Sequence, residues 1–401
     1  MVRSNYKIKS IEDIEAFKPY TNPLTLIEKK PISIMKLRND SKPLLFYLFI
    51  LLFIGCRHDN DATVNQLSGE KQNGITDYLR SQSKNTLGLA AAVIKDGEVI
   101  YENYFGKENL AGKAVNKETV FPLYSVSKLI TSTAIFQLVE QDKIRLNDKI
   151  SKYIENLPTK WKNIEVMNLL THSSGLPDYD IMKGELSDST TMKNLIKNKL
   201  RFETGERWEY NQTNFWFLAK IIEKASTNSY ENFVAEHQFP NRDILFSSNF
   251  IEPIPNRSHK YTFNTTSQNW DKLNFDFGKR TNSAGGINLT LNQLVEWTIN
   301  FDNNKFIKPS TKDMMWTPFE YNTPFYFENE TDKFLYGWQQ YSSNNEISYG
   351  FTGGMVTGYR KFINQNMTII ILTNGLKNYP IRNKVINKIA SIVDEHLTEK
   401  F

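Results

Sequence analysis

Strand-forming sequence stands at both ends of a body whose middle is helical, and that separation restricts the possible folds more than any other feature of this chain. Residues 87–94 and 98–105 are apolar and strand-like on either side of Asp96-Gly97, a pair suited to the positive φ angles of a two-residue hairpin turn. Beyond about Lys333 the pattern returns to strands over 334–341, 346–351, 358–363 and 367–372, followed by a last helix over 382–397. Helical spacing marks 164–170, 195–200, 214–225 and 292–300, with Pro and Gly loops between them. Two strand blocks that must each find partners predict one sheet completed by both ends of the chain. The expected class is α/β of the α+β type. An antiparallel sheet from 86–121 and 333–375, flanked by N- and C-terminal helices, would carry a large inserted helical region over 122–332. A chain of 401 residues, 40% hydrophobic and 13% aromatic, has the core for it.

The inserted region opens on Ser125-Val126-Ser127-Lys128, after which Leu129, Ile130, Ile135, Leu138 and Val139 recur at the spacing of a buried helix. Residues three apart share a helix face, so Lys128 is expected one turn beyond Ser125 with its amine aimed at the hydroxyl. An amine stripped of water has a lowered pKa and can act as a base. The first helical turn also offers unpaired N–H groups and the positive end of the helix dipole to a developing oxyanion. Ser-x-x-Lys also begins at Ser4, Ser33, Ser68 and Ser81, in polar or Pro-flanked stretches. On spacing alone, an N-cap serine followed by a solvated lysine is the commoner outcome.

Residues 44–54 form an apolar run too short to span a membrane, preceded by Lys36, Arg38 and Lys42 and followed by Gly55-Cys56. The layout is that of a secretory signal over 35–55, and Phe53-Ile54-Gly55-Cys56 resembles the lipobox of bacterial lipoproteins, which would make Cys56 the lipidated first residue. Cys56 is the sole cysteine, so no disulfide can form within the chain. Translation from Met35 would explain why residues 1–34 stand upstream of the signal, and 56–69 reads as a polar tether to a folded body over 70–401. The +5 formal charge is concentrated early. Residues 1–55 hold nine Lys/Arg against five Asp/Glu, leaving forty against thirty-nine, and hence +1, from Cys56 onward. No basic surface for nucleic acid is expected.

Several ordered segments carry a family resemblance: Gly88-Leu89-Ala90 leading into the Asp96-Gly97 hairpin, Ser125-Val126-Ser127-Lys128, Leu169-Leu170-Thr171-His172-Ser173-Ser174-Gly175-Leu176, Tyr210-Asn211-Gln212, Ser283-Ala284-Gly285-Gly286 and Gly350-Phe351-Thr352-Gly353-Gly354. Over about residues 72–400 the chain resembles the serine β-lactamase and penicillin-binding-protein-like family, in the branch that includes class C β-lactamases, D-amino-acid peptidases and β-lactamase-like esterases. The resemblance implies a nucleophile at Ser125 and its activating amine at Lys128. Tyr210 would relay the proton, its phenolate favoured by the neighbouring ammonium. Gln212 stands where the family has Asn and would contact the substrate amide. Tyr230-Glu231-Asn232 also fits Tyr-x-Asn, but Tyr210 follows the Gly205-Glu206 loop and precedes a helix, as in the family.

Phe351-Thr352-Gly353 replaces the family's Lys-Thr-Gly or His-x-Gly, so the substrate-aligning strand has lost its cation, while the Gly354 N–H would still complete an oxyanion hole with that of Ser125. Phe351 cannot pair with a carboxylate. This shifts the expected substrate from β-lactams toward less charged esters or D-amino-acid peptides. Arg360 reads as a solvated strand-edge residue. His172 is expected to be structural. His58, His237, His259 and His396 lack ligand spacing, so no metal is implied, and no Gly-x-Ser-x-Gly elbow exists. The expected protein is a serine hydrolase acting on a small-molecule or peptide acyl substrate through an acyl-enzyme, without a cofactor. A lipid anchor would hold it to a membrane of the cell envelope, outside the cytoplasm. The alternative is a catalytically silent binding lipoprotein of the same fold.

Overall fold

The computed structural model describes residues 67–397 except 182, 184–185, 247–253, 274–277, 324–331, 344–345, 355 and 378–380. The chain divides into units 1–60 and 61–401, and all described residues lie in the second. Met35, the signal over 35–55, Cys56 and the tether as far as residue 66 are outside the described residues.

A seven-stranded antiparallel sheet runs in the order Glu98–Gly106, Gly88–Lys95, Met367–Thr373, Thr357–Phe362, Glu346–Gly353, Gln339–Ser343, Lys333–Phe334. The two ends of the chain meet where Ala91 pairs with Ile371 and Val93 with Ile369. Asp96 and Gly97 take φ of 53° and 81°, the two left-handed positions that the Asp-Gly turn requires. Because side chains alternate along a strand, the run Gly88–Lys95 serves two cores at once. Leu89, Ala91 and Val93 pack with Ile75 and Leu79 of the helix Gly69–Ser83 and with Val385, Ile386 and Ile389 of the helix Ile381–Val393. Ala90, Ala92 and Ile94 face the larger core around the helix Ser127–Glu140.

That central helix is buried on every side from Ser127 to Leu138, so it forms the middle of the inserted region. Its hydroxyls find acceptors within the fold: Thr131 bonds the Ser283 carbonyl at 2.7 Å and Ser132 the Tyr336 carbonyl at 2.6 Å. Two expected elements differ. The helix expected over 195–200 lies instead at Asp188–Leu195, where Ser187 accepts the Thr190 N–H and Asp188 supplies first-turn charge. The strand expected over 334–341 is broken at Gly337, whose φ is +83° and whose missing Cβ would stand 2.8 Å from Ser132 Cβ. The break lets the chain pass close to the central helix.

Candidate active site

Ser125 lies at the start of the central helix but does not cap it. Tyr124–Val126 forms a single 3₁₀ turn, Val126 occupies the N-cap position of Ser127–Glu140, and no side chain caps the helix. Tyr124 enters the turn at φ +49°, a costly conformation for an aromatic residue. This lifts the half-buried Ser125 to the edge of the strand Glu346–Gly353. The approach is close: a Cβ on Gly353 would stand 2.2 Å from the Leu123 carbonyl and 3.1 Å from the Ser125 nitrogen. Gly354 follows at φ +50° against the Tyr124 ring. Among the described residues, neither the Ser125 N–H nor the Gly354 N–H has an acceptor.

Ser125 Oγ meets Tyr210 Oη at 2.5 Å, the shortest contact of the cluster. Lys128 is fully buried, not solvated. Its Nζ donates to the Ala284 carbonyl at 2.6 Å and to Gln212 Oε1 at 3.0 Å, and lies 4.8 Å from the centre of the Tyr210 ring. The expectation that it aims at the Ser125 hydroxyl is therefore corrected: the amine turns to Gln212 and Ala284, and the phenol contacts the serine. Burial lowers the Lys128 pKa to about 7, against the opposing pull of the Asp178 carboxylate. Burial likewise pushes Tyr210 up to about 12, although hydrogen bonding with Ser125 and Gln212 favours its phenolate. Tyr210 is thus a neutral phenol at rest, and Lys128 is the group that can hold or release a proton near neutral pH.

Gln212 gives its amide oxygen to Lys128 within the cluster. Phe351 is buried, 5% exposed, with its ring 6.4 Å from Tyr210 and 6.0 Å from Phe334. It forms a wall beside the phenol and presents little of itself to a ligand, while the neighbouring Thr352 is partly exposed. Arg360 is not a solvated edge residue. It is 3% exposed, its guanidinium 3.4 Å from the centre of the Tyr341 ring and 3.4 Å from Ser348 Oγ.

One member of the cluster had no signal in the sequence. Asp178 Oδ1 accepts the N–H groups of Gln212 and Thr213 at 2.9 Å and the Thr213 hydroxyl at 3.1 Å, so it closes the N-terminus of the helix Gln212–Ser226 from a distant loop. Burial raises its pKa, opposed by these bonds and by Lys128. Only the folded chain brings residue 178 to that helix. His172 is buried, and burial, aided by the charge of Lys128, holds its pKa well below the usual histidine value.

The family model described as Beta-lactamase matches residues 66–393. With the fold described above, that match defines the class of protein as a serine hydrolase. The chain belongs to the β-lactamase family. It is 25% identical over 321 residues to the teichoic acid D-alanine hydrolase of Staphylococcus aureus, over 79% of this chain and 77% of that one. In fold it resembles the penicillin-binding protein homologue of Pyrococcus abyssi, with TM-score 0.69 at 22% identity over 82% and 78% of the two chains. The D-amino acid amidase of Ochrobactrum anthropi SV3 gives a TM-score of 0.67 at 16% identity over 82% and 99%.

Proposed function

We propose that the protein hydrolyses an ester or amide through an acyl-enzyme on Ser125, with less charged esters or D-amino-acid amides and peptides preferred over β-lactams. The observation that carries the reading is the 2.5 Å contact between Ser125 Oγ and Tyr210 Oη beside a desolvated lysine of pKa about 7. As Ser125 Oγ bonds to the substrate carbonyl carbon, its proton passes to Tyr210 Oη, and neutral Lys128, turning from its resting bonds to Gln212 and Ala284, accepts the proton that the phenol gives up. The oxyanion is held by the N–H groups of Ser125 and Gly354. Return of the proton to the leaving group breaks the scissile bond. Water then attacks the acyl-serine by the same proton route, releasing the acid and restoring Ser125.

Substrate preference follows from Phe351-Thr352-Gly353, the segment that replaces the family's Lys-Thr-Gly or His-x-Gly. Phe351 packs against Tyr210 where relatives have a cation, and Arg360 is engaged with Tyr341 and Ser348, so a substrate carboxylate finds no counterion from either residue. Relatives named for D-alanine hydrolysis and D-amino acid amidase activity fit the same preference. Turnover of p-nitrophenyl esters, D-alanyl p-nitroanilide and a chromogenic cephalosporin tests it. The ester or D-alanyl substrate should give the higher kcat/KM; a cephalosporin turned over faster than both would overturn the preference. Residues 53–56 support a lipid anchor on Cys56 that would hold the enzyme to a membrane of the cell envelope, outside the cytoplasm. Incorporation of a labelled fatty acid that is lost in Cys56→Ser is the expected result, and equal labelling of the variant would contradict it.

A further inference from the structure

We infer that His172 is a positioning residue for Tyr210, fixing the phenol beside Ser125 by holding the backbone on both sides of it. The inference rests on the roles of Ser125 and Tyr210 proposed above. His172 stands in a tight turn at φ +55°. Its carbonyl accepts the Glu209 N–H at 3.0 Å, and its Nδ1 accepts from the Asn211 N–H at 3.2 Å and from Asn214 Nδ2 at 3.1 Å. The residues immediately before and after Tyr210 are therefore both bonded to this one residue. The imidazole also lies 4.8 Å from the Tyr210 ring, centre to centre, with Phe215 at 5.4 Å and Phe334 at 5.1 Å completing the packing. Tyr210 is thus held through its main chain and supported along its ring.

The chemistry of these contacts fixes the tautomer. A backbone N–H can only donate, so Nδ1 is the acceptor and the proton resides on Nε2. Nε2 is buried and has no hydrogen-bond partner among the described residues. A buried unpaired N–H is destabilising, and a hydrocarbon of similar size would fill the space without it. What a hydrocarbon cannot supply is the acceptor at Nδ1, which reaches the backbone of Asn211 one residue past the phenol. Burial that keeps the ring neutral keeps this acceptor available. Histidine at this position is accounted for by Tyr210 and not by the core alone.

Two variants separate positioning from mere packing. His172→Asn brings a carbonyl oxygen close to where Nδ1 stands, whereas His172→Gln sets its amide near Nε2 and leaves the Asn211 N–H unmatched. With an activated ester, His172→Gln should lower kcat on the order of 10²-fold, as a misplacement of about 1 Å does, with KM within about twofold. His172→Asn should recover most of the loss. In a Tyr210→Phe background, His172→Gln should add less than about threefold, since it acts through the group already removed. Equal losses in both variants, a loss confined to KM, or losses that multiply with Tyr210→Phe would each overturn the inference. ¹⁵N NMR of the wild-type imidazole needs no variant: a proton on Nε2 and a hydrogen-bonded bare Nδ1 are expected, and a proton on Nδ1 overturns it. A wild-type enzyme inert to every acyl substrate would defeat the proposed function, whereas an active wild type with an unaffected His172→Gln would defeat this inference alone.

Discussion

At the scale of single residues, the protonation of Lys128 governs the account. A lysine with pKa about 7 is largely charged at pH 6 and largely neutral at pH 8. Neutral amine is the form that accepts the proton, so kcat/KM should rise with pH through an apparent pKa near 7 and then level off, because Tyr210 titrates only near 12. A flat profile from pH 5 to 9 would contradict the assignment. Tyr210→Phe removes the hydroxyl that meets Ser125 and should lower kcat by about 10²- to 10⁴-fold, with little change in KM. Residue identities were readable in the sequence because Ser-x-x-Lys and Tyr-Asn-Gln are local strings. The partners they choose were not. Lys128 turned out to bond Gln212 and Ala284, and Asp178 entered the cluster across a long sequence separation.

At the scale of elements, the site depends on two close approaches. The strand Glu346–Gly353 can lie against the Tyr124–Val126 turn only because Gly353 has no Cβ. Gly353→Ala should push the strand away, reducing stability by about 1–3 kcal/mol and lowering kcat on the order of 10²-fold; urea unfolding and ester kinetics would detect both. The helix Gln212–Ser226 is the other element, and Asp178 serves it twice, as an N-terminal acceptor and as a negative charge that raises the Lys128 pKa. Asp178→Asn keeps an acceptor and removes the charge, so the acidic limb of the pH profile should move to lower pH. A shift to higher pH would reject the electrostatic link. The hairpin was legible because Asp-Gly states its own turn, and the alternation of Gly88–Lys95 hid in a continuous apolar run because both faces are buried. The helix Tyr230–Gln238 shows no clear apolar period in the sequence, since its buried residues Tyr230, Phe233 and Val234 are mixed with polar ones. The break at Gly337 answers to a helix some two hundred residues earlier in the chain, and no local pattern records that.

At the scale of the whole molecule, the reactive lysine carries a stability penalty. An unfolded lysine titrates near 10.4 and Lys128 near 7, so between these values the unfolded state binds the extra proton and stability rises with pH. The penalty is full below about pH 7 and absent above about pH 10, and amounts to several kcal/mol in order of magnitude. Replacing Lys128 by Met removes it. The stability of Lys128→Met relative to wild type should therefore be greatest at pH 6 and decline steadily toward pH 10; a difference independent of pH would show that the lysine is not desolvated in solution. The joining of the two strand blocks in one sheet, by contrast, was predictable, because each needed partners to complete it. The most direct test of the central claim is intact-mass spectrometry after exposure to a fluorophosphonate. The account predicts one adduct per chain, mapped to the peptide containing Ser125 and absent from Ser125→Ala; an adduct that persists in the variant, or no adduct on the wild type, would contradict it.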